Sequence, residues 1–177
     1  MHPFTYVSLD HRGTPERPGR TVTLCEDPAA ITWGVAYELD GSPEQQQATL
    51  SYLEWREKQY DVRCRTTLYS KEASKSKPTL TGLSADDDSH GEETVPDCLV
   101  YIAGPDLSRN ANYLGPAPLD TIADQIANST GPSGHNSEYL FKLAAAMRAM
   151  DVHDDELFSL EVLVQERMAR DFTNINV

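Results

Sequence analysis

Apolar residues recur along the chain with two different periods. Ile31, Trp33, Val35, Tyr37 and Leu39 alternate with smaller or polar neighbours, which predicts a strand with one apolar face over 31–39. Alternation over 62–69 predicts a second strand, and 21–24 a short one. The continuous apolar run 98–103 predicts a fully buried strand. Helical spacing governs the last third. Leu119, Ile122, Ala123 and Ile126 share one face; so do Tyr139, Leu140, Leu143, Ala144 and Met147; so do Leu157, Leu160, Val164 and Met168.

Local signals set the boundaries. Ser42, Pro43 and Gln45 form a capping box that starts a helix at Pro43 and carries it to about Lys58. Asn136 or a neighbouring serine is the expected cap of the second C-terminal helix. Asp154, Asp155 and Glu156 open the third at the positive end of its dipole. Pro, Gly and Arg over 11–20 predict an ordered loop or linker. Residues 71–96 are poor in apolar side chains and carry Asp86, Asp87, Asp88, Glu92 and Glu93, so they read as a disordered or mobile insertion. Strands mixed with helices, then a helical end and no internal repeat, give an α+β fold, read as a single domain over 1–177.

Composition narrows the function. A length of 177 residues suits one domain with a real core, and 39% hydrophobic residues is ordinary for a globular chain. The formal charge of −13 argues against nucleic acid and anionic membranes as partners, though a local pocket can still take a small anion. No apolar run approaches the roughly 20 residues that span a bilayer, and the start lacks the pattern of a secretory signal. A cytoplasmic location is the expectation. Cys25, Cys64 and Cys98 are odd in number and far apart, which excludes a zinc ribbon or a CxxC pair. His11, His135 and His153 are scattered, and the Asp run lacks the glycine and distal Glu of a calcium loop. Ser133, in Gly131-Pro132-Ser133-Gly134, is neither a nucleophile elbow nor part of a phosphate loop; the segment reads as a turn ahead of a helix. No metal or cofactor is expected.

One carboxylate stands out by position. Leu50, Leu53 and Glu57 share a face of the helix that begins at Pro43, and the leucines mark that face as the core face. A Glu aimed inward at a helix C-terminus has its charged form disfavoured by burial and by the dipole, which suits a proton shuttle near neutral pH. The alternative is a surface Glu57 that pairs with Arg56, Lys58 or Arg63.

Five blocks then match one family in order: Asp10-His11-Arg12-Gly13-Thr14-Pro15 with Pro18-Gly19-Arg20; Trp33-Gly34-Val35-Ala36-Tyr37; Tyr52-Leu53-Glu54-Trp55-Arg56-Glu57-Lys58; Asn112-Tyr113-Leu114-Gly115-Pro116-Ala117-Pro118; and the stretch from Gly131 to Phe141. The chain resembles the ChaC-type, glutathione-specific gamma-glutamylcyclotransferases from about residue 8 onward, apart from 71–96. The resemblance implies a small β-barrel flanked by helices. It implies cleavage of glutathione into 5-oxoproline and cysteinylglycine without metal or cofactor. It also implies Glu57 as the acid/base, with Tyr60 and Tyr113 lining the substrate pocket. Two departures are visible. The family's Tyr-Gly-Ser-Leu type loop, which holds the γ-glutamyl group, has no counterpart, so a barrel lacking its first strand is expected. The stretch from Glu57 to Tyr60 is one residue shorter than the family's usual spacing. Two other readings share the scaffold: a non-catalytic interaction protein, and a cyclotransferase for another gamma-glutamyl compound.

Overall fold

The computed structural model describes residues 5–27, 30–57, 60–70 and 94–175, with side chains to 170. They divide between two compact units. One lies within 1–33, 58–61 and 102–177; the other within 34–57 and 62–101.

In the first unit, β1 (Tyr6–Ser8) pairs antiparallel with β2 (Gly19–Thr21), Tyr6 opposite Thr21 and Ser8 opposite Gly19. Helices α2 (Leu119–Asn128), α3 (Asn136–Ala149) and α4 (Asp155–Ile175) supply the core. Ile122, Ala123, Ile126, Leu140, Ala144, Leu157, Leu160 and Val164 are buried together, with Leu119, Tyr139, Leu143, Met147 and Met168 packed against them. These are the three faces that the helical spacing predicts. The Asp154 carboxylate accepts from the N–H of Leu157 at 2.9 Å and opens α4. Arg167 on α4 pairs with both Asp120 and Asp124 on α2 and ties the two helices together at the solvent-facing edge of the core.

Between α2 and α3 the chain turns through β5 (Thr130–Gly131) and β6 (Gly134–His135), an antiparallel hairpin closed by Pro132 and Ser133. The turn expected there is present; the side-chain cap is not. His135 occupies the N-cap position of α3 without a capping bond, because the Asn136 amide is engaged elsewhere. Its Oδ1 accepts from the Arg20 N–H at 2.6 Å and its Nδ2 donates to the Arg20 carbonyl at 2.8 Å. A fully buried amide that holds both backbone groups of a distant strand residue cannot also cap its own helix.

The second unit holds α1 (Pro43–Arg56), β3 (Val62–Tyr69) and β4 (Thr94–Ile102), with β3 and β4 paired. The capping box at Ser42 and Gln45 is formed in both directions. The helix ends at Arg56, with Glu57 as its C-cap; Lys58 lies outside the described residues. No residue of α1 is buried: Leu50 and Leu53 are half-buried, while Tyr52 and Trp55 are exposed and lie 6.0 Å apart, ring to ring. The expected core face is thus a half-buried one.

The strand expected over 31–39 does not form, and Ile31, Val35 and Tyr37 are exposed. Alternation makes a strand only where a neighbouring strand takes up its backbone hydrogen bonds, and no strand does so among the described residues. The strand expected over 98–103 starts earlier, at Thr94, and is half-buried rather than fully buried. Pro96 and Asp97 hide that start, since both read as turn residues. Asp97 does sit at φ 61, where Arg65 holds its carboxylate at 2.6 Å. Residues 94–96, expected at the end of the insertion, therefore belong to β4; 71–93 lie outside the described residues. The second-unit strands and the two hairpin-like pairs of the first unit make three two-stranded sheets, so the fold is α+β, and no closed barrel is formed among the described residues.

Candidate active site

Glu57 belongs to the second unit. Its backbone N–H donates to the Leu53 carbonyl at 2.8 Å, the last turn of α1, and its side chain is 21% exposed. The side chain meets Arg56, whose Nε and Nη2 reach Glu57 Oε1 at 2.7 and 2.6 Å. Gln46, Leu50 and Leu53 are the half-buried residues of the same helical face. Sequence left open whether this Glu turns inward or pairs with Arg56; the described geometry has it shielded from most solvent and paired at once.

The two tyrosines belong to the first unit, and it brings them to one place. Tyr6 in β1 is the link. Its ring stacks on that of Tyr60, centroids 5.5 Å apart and planes 13° from parallel. Its backbone forms an antiparallel bridge with Tyr113. Two bonds flank that bridge, Val7 N–H to the Asn112 carbonyl at 2.8 Å and Leu114 N–H to the Thr5 carbonyl at 2.7 Å. Residues opposite one another in such a bridge point to the same face, so Tyr6 and Tyr113 do too. Burial, with the Cys25 thiol beside it, pushes the Tyr113 phenol above its ordinary value. It therefore stays a neutral donor across the physiological range.

Asp61, next to Tyr60, anchors that corner. Its Oδ1 accepts from the Gly104 N–H at 2.6 Å and from Asn110 Nδ2 at 3.3 Å, while Arg109 Nε stands 4.0 Å from Oδ2. Asn110 in turn accepts from the N–H groups of Asn112 and Tyr113 at 3.1 and 3.2 Å. One short network thus joins the segment of Tyr60 to that of Tyr113. Sequence reasoning missed Tyr6, Asp61 and Asn110, because their roles arise from contacts between segments far apart in the chain.

The first and last matching blocks pack on each other. Arg12 Nη1 donates to the His135 carbonyl at 3.1 Å and to Glu138 Oε2 at 2.9 Å. Arg20, buried, donates through Nε to Gln125 Oε1 at 2.7 Å. The Ser133 N–H donates to the His11 carbonyl at 2.9 Å. A side chain on Gly19 would meet the Arg12 carbonyl at 2.6 Å and Asn136 Oδ1 at 2.8 Å, so glycine is required where these backbones touch. The DHRG and GPSG segments are accordingly structural joints. Among the described residues there is no cluster of three or more potential metal ligands, and no helix is long and apolar enough to cross a membrane. Cys25, Cys64 and Cys98 are half-buried free thiols.

The family model described as ChaC-like protein matches residues 2–167. The chain is 40% identical over 168 residues to gamma-glutamylcyclotransferase 2-1 of Arabidopsis thaliana, covering 95% of this chain and 69% of that protein. It is 42% identical over 154 residues to glutathione-specific gamma-glutamylcyclotransferase 1 of Danio rerio, covering 85% and 67%. Among solved structures, the yeast gamma-glutamyl cyclotransferase specific to glutathione aligns with a TM-score of 0.64 at 27% identity, over 92% of this chain and 82% of that one.

Proposed function

The chain belongs to the ChaC-like family, and from that premise we propose that it is a glutathione-specific gamma-glutamylcyclotransferase with Glu57 as its acid/base. The observation that carries the reading is the identity of about 40% to enzymes named gamma-glutamylcyclotransferase, two of them named glutathione-specific, over most of the chain. We take 1–177 as one functional domain, since the match runs across both compact units. A small barrel with flanking helices belongs to this same reading, as does a cytoplasmic location.

The reaction needs little from the protein beyond folding the substrate and moving protons. The α-amino nitrogen of the γ-glutamyl group attacks its own γ-carbonyl carbon, and a five-membered ring closes. The amide C–N bond breaks, giving 5-oxoproline and cysteinylglycine with no water consumed. Because nucleophile and electrophile share one molecule, effective molarity supplies much of the rate. Glu57 takes the proton that the attacking ammonium must lose and returns it to the leaving amine. Arg56, paired with Glu57 at rest, holds the carboxylate in place at the end of α1. Tyr60 and Tyr113 form the substrate wall, with Tyr113 offering a neutral phenol as donor. All of these steps proceed from side chains of this chain, without metal or cofactor.

A panel of gamma-glutamyl compounds tests the substrate class. Glutathione is expected to exceed gamma-glutamylalanine in kcat/KM by about tenfold or more, the scale that a few lost polar contacts produce. The reverse order would move the protein to a cyclotransferase for other gamma-glutamyl compounds.

A further inference from the structure

Resting on that functional reading, we propose that Tyr6 is a positioning residue, which sets the ring of Tyr60 against the substrate. Tyr6 is 3% exposed, yet it lies outside the helical core where most buried apolar side chains of its unit collect. Its constraints come from three directions. The backbone is held on one edge by Thr21 and on the other by Tyr113. The phenol oxygen accepts from Asn112 Nδ2 at 3.2 Å, and Asn112 is itself fixed through its carbonyl by Val7 and through its N–H by Asn110. The face of the ring is covered by Tyr60 at 5.5 Å.

A ring pinned at both ends is a template, and Tyr60 is laid on it. Tyr60 itself is half-buried, so one part of it faces Tyr6 while another stays accessible. Asp61 fixes the backbone beside Tyr60, and Tyr6 fixes the ring orientation. A Tyr60 ring with free χ rotation would present a blurred wall to a small, flexible substrate. Fixing it beforehand lowers the entropy lost on binding and shows in KM rather than in the proton-transfer step.

The test uses the full chain with ¹³C-labelled tyrosine rings, in wild-type, Tyr6→Leu and Tyr6→Phe forms. Glutathione kinetics and the Tyr60 ring signal are read in parallel. Tyr6→Leu removes the stack and is expected to raise KM about fivefold to tenfold with kcat little changed, the scale of one aromatic pair. It also averages the Tyr60 ring signal. Tyr6→Phe keeps the stack and returns KM to within about twofold of wild type. Asn112→Ala removes the tether on the Tyr6 hydroxyl, loosens the tilt of the Tyr6 ring, and so shifts the Tyr60 signal even if Tyr6→Leu does not fold. The proposal is overturned if both Tyr6→Leu and Asn112→Ala leave the Tyr60 signal unchanged. It is equally overturned if Tyr6→Leu lowers only the melting temperature and not substrate affinity. A wild-type chain that releases no 5-oxoproline sinks the functional reading instead, and the ring signal then still decides whether Tyr6 orients Tyr60.

Discussion

Glu57→Gln is expected to slow 5-oxoproline release from glutathione by about a thousandfold, within the range that a positioned acid/base contributes. The amide keeps the shape of the carboxyl and can still lie on the half-buried face of α1 beside Leu50 and Leu53. It cannot take a proton from the substrate ammonium and hand it to the leaving amine. Folding is expected to survive. The C-cap bond to Leu53 is made by the backbone, which the substitution leaves alone. The lost pair with Arg56 is partly exposed, with the guanidinium side about half open to solvent, and such pairs contribute about 1 kcal/mol or less. Turnover and thermal unfolding measured on the same preparation separate the two effects. Full activity in the variant would remove Glu57 from the proton transfer, whatever becomes of the rest of the account.

Gly131→Ala is expected to destabilise the first unit by about 3 kcal/mol, at the upper end of what overpacking costs. A Cβ there would fall inside contact distance of the His11 carbonyl oxygen and 2.5 Å from the Gly13 nitrogen. Both are backbone atoms, so no side chain can swing aside to make room. For a chain of this length the unfolding midpoint should drop by about 6–12 °C. Gly34→Ala is the matched control. Nothing lies within 4 Å of a Cβ at Gly34, and a change of about 0.5 kcal/mol or less is expected. Equal midpoints for the two variants would mean that the joint between the DHRG and GPSG segments is looser than the close backbone approach describes.

The two predictions separate what the matching blocks do. The DHRG and GPSG blocks, read in sequence as a loop and as a turn ahead of a helix, are dense in polar groups that a substrate could use. Arg12, Arg20 and Asn136 instead spend those groups on carbonyls, amides and one another, which fastens a loop to a helix start. The chemistry is assigned to the block around Arg56 and Glu57, which is plain by comparison.

How much of this was readable depended on where each residue finds its partners. The helical third was readable in detail, since an α-helix satisfies its own backbone and its apolar spacing alone decides which face is buried. Residues 119–168 therefore supplied the core as expected. The alternation over 31–39 misled because a strand borrows its hydrogen bonds from a neighbour that local sequence cannot reveal. Asn136 looked like a cap for the same reason: its partner, Arg20, is 116 positions away. Among the proposed site residues, Glu57 was visible as a carboxylate on a leucine-marked face and, alternatively, as a partner of Arg56, though not as both at once. Tyr60 and Tyr113 came only through family resemblance. Their shared neighbour Tyr6 had no signal at all, since its stack and its bridge join segments 54 and 107 positions distant.

The most direct measurement of the central claim is to incubate the purified 177-residue chain with glutathione, without added metal or nucleotide, and to quantify both products. The account predicts 5-oxoproline and cysteinylglycine in equal amounts, accumulating in proportion to protein concentration. Intact glutathione with no 5-oxoproline, from a chain shown to be folded, would contradict it and leave a non-catalytic member of the family.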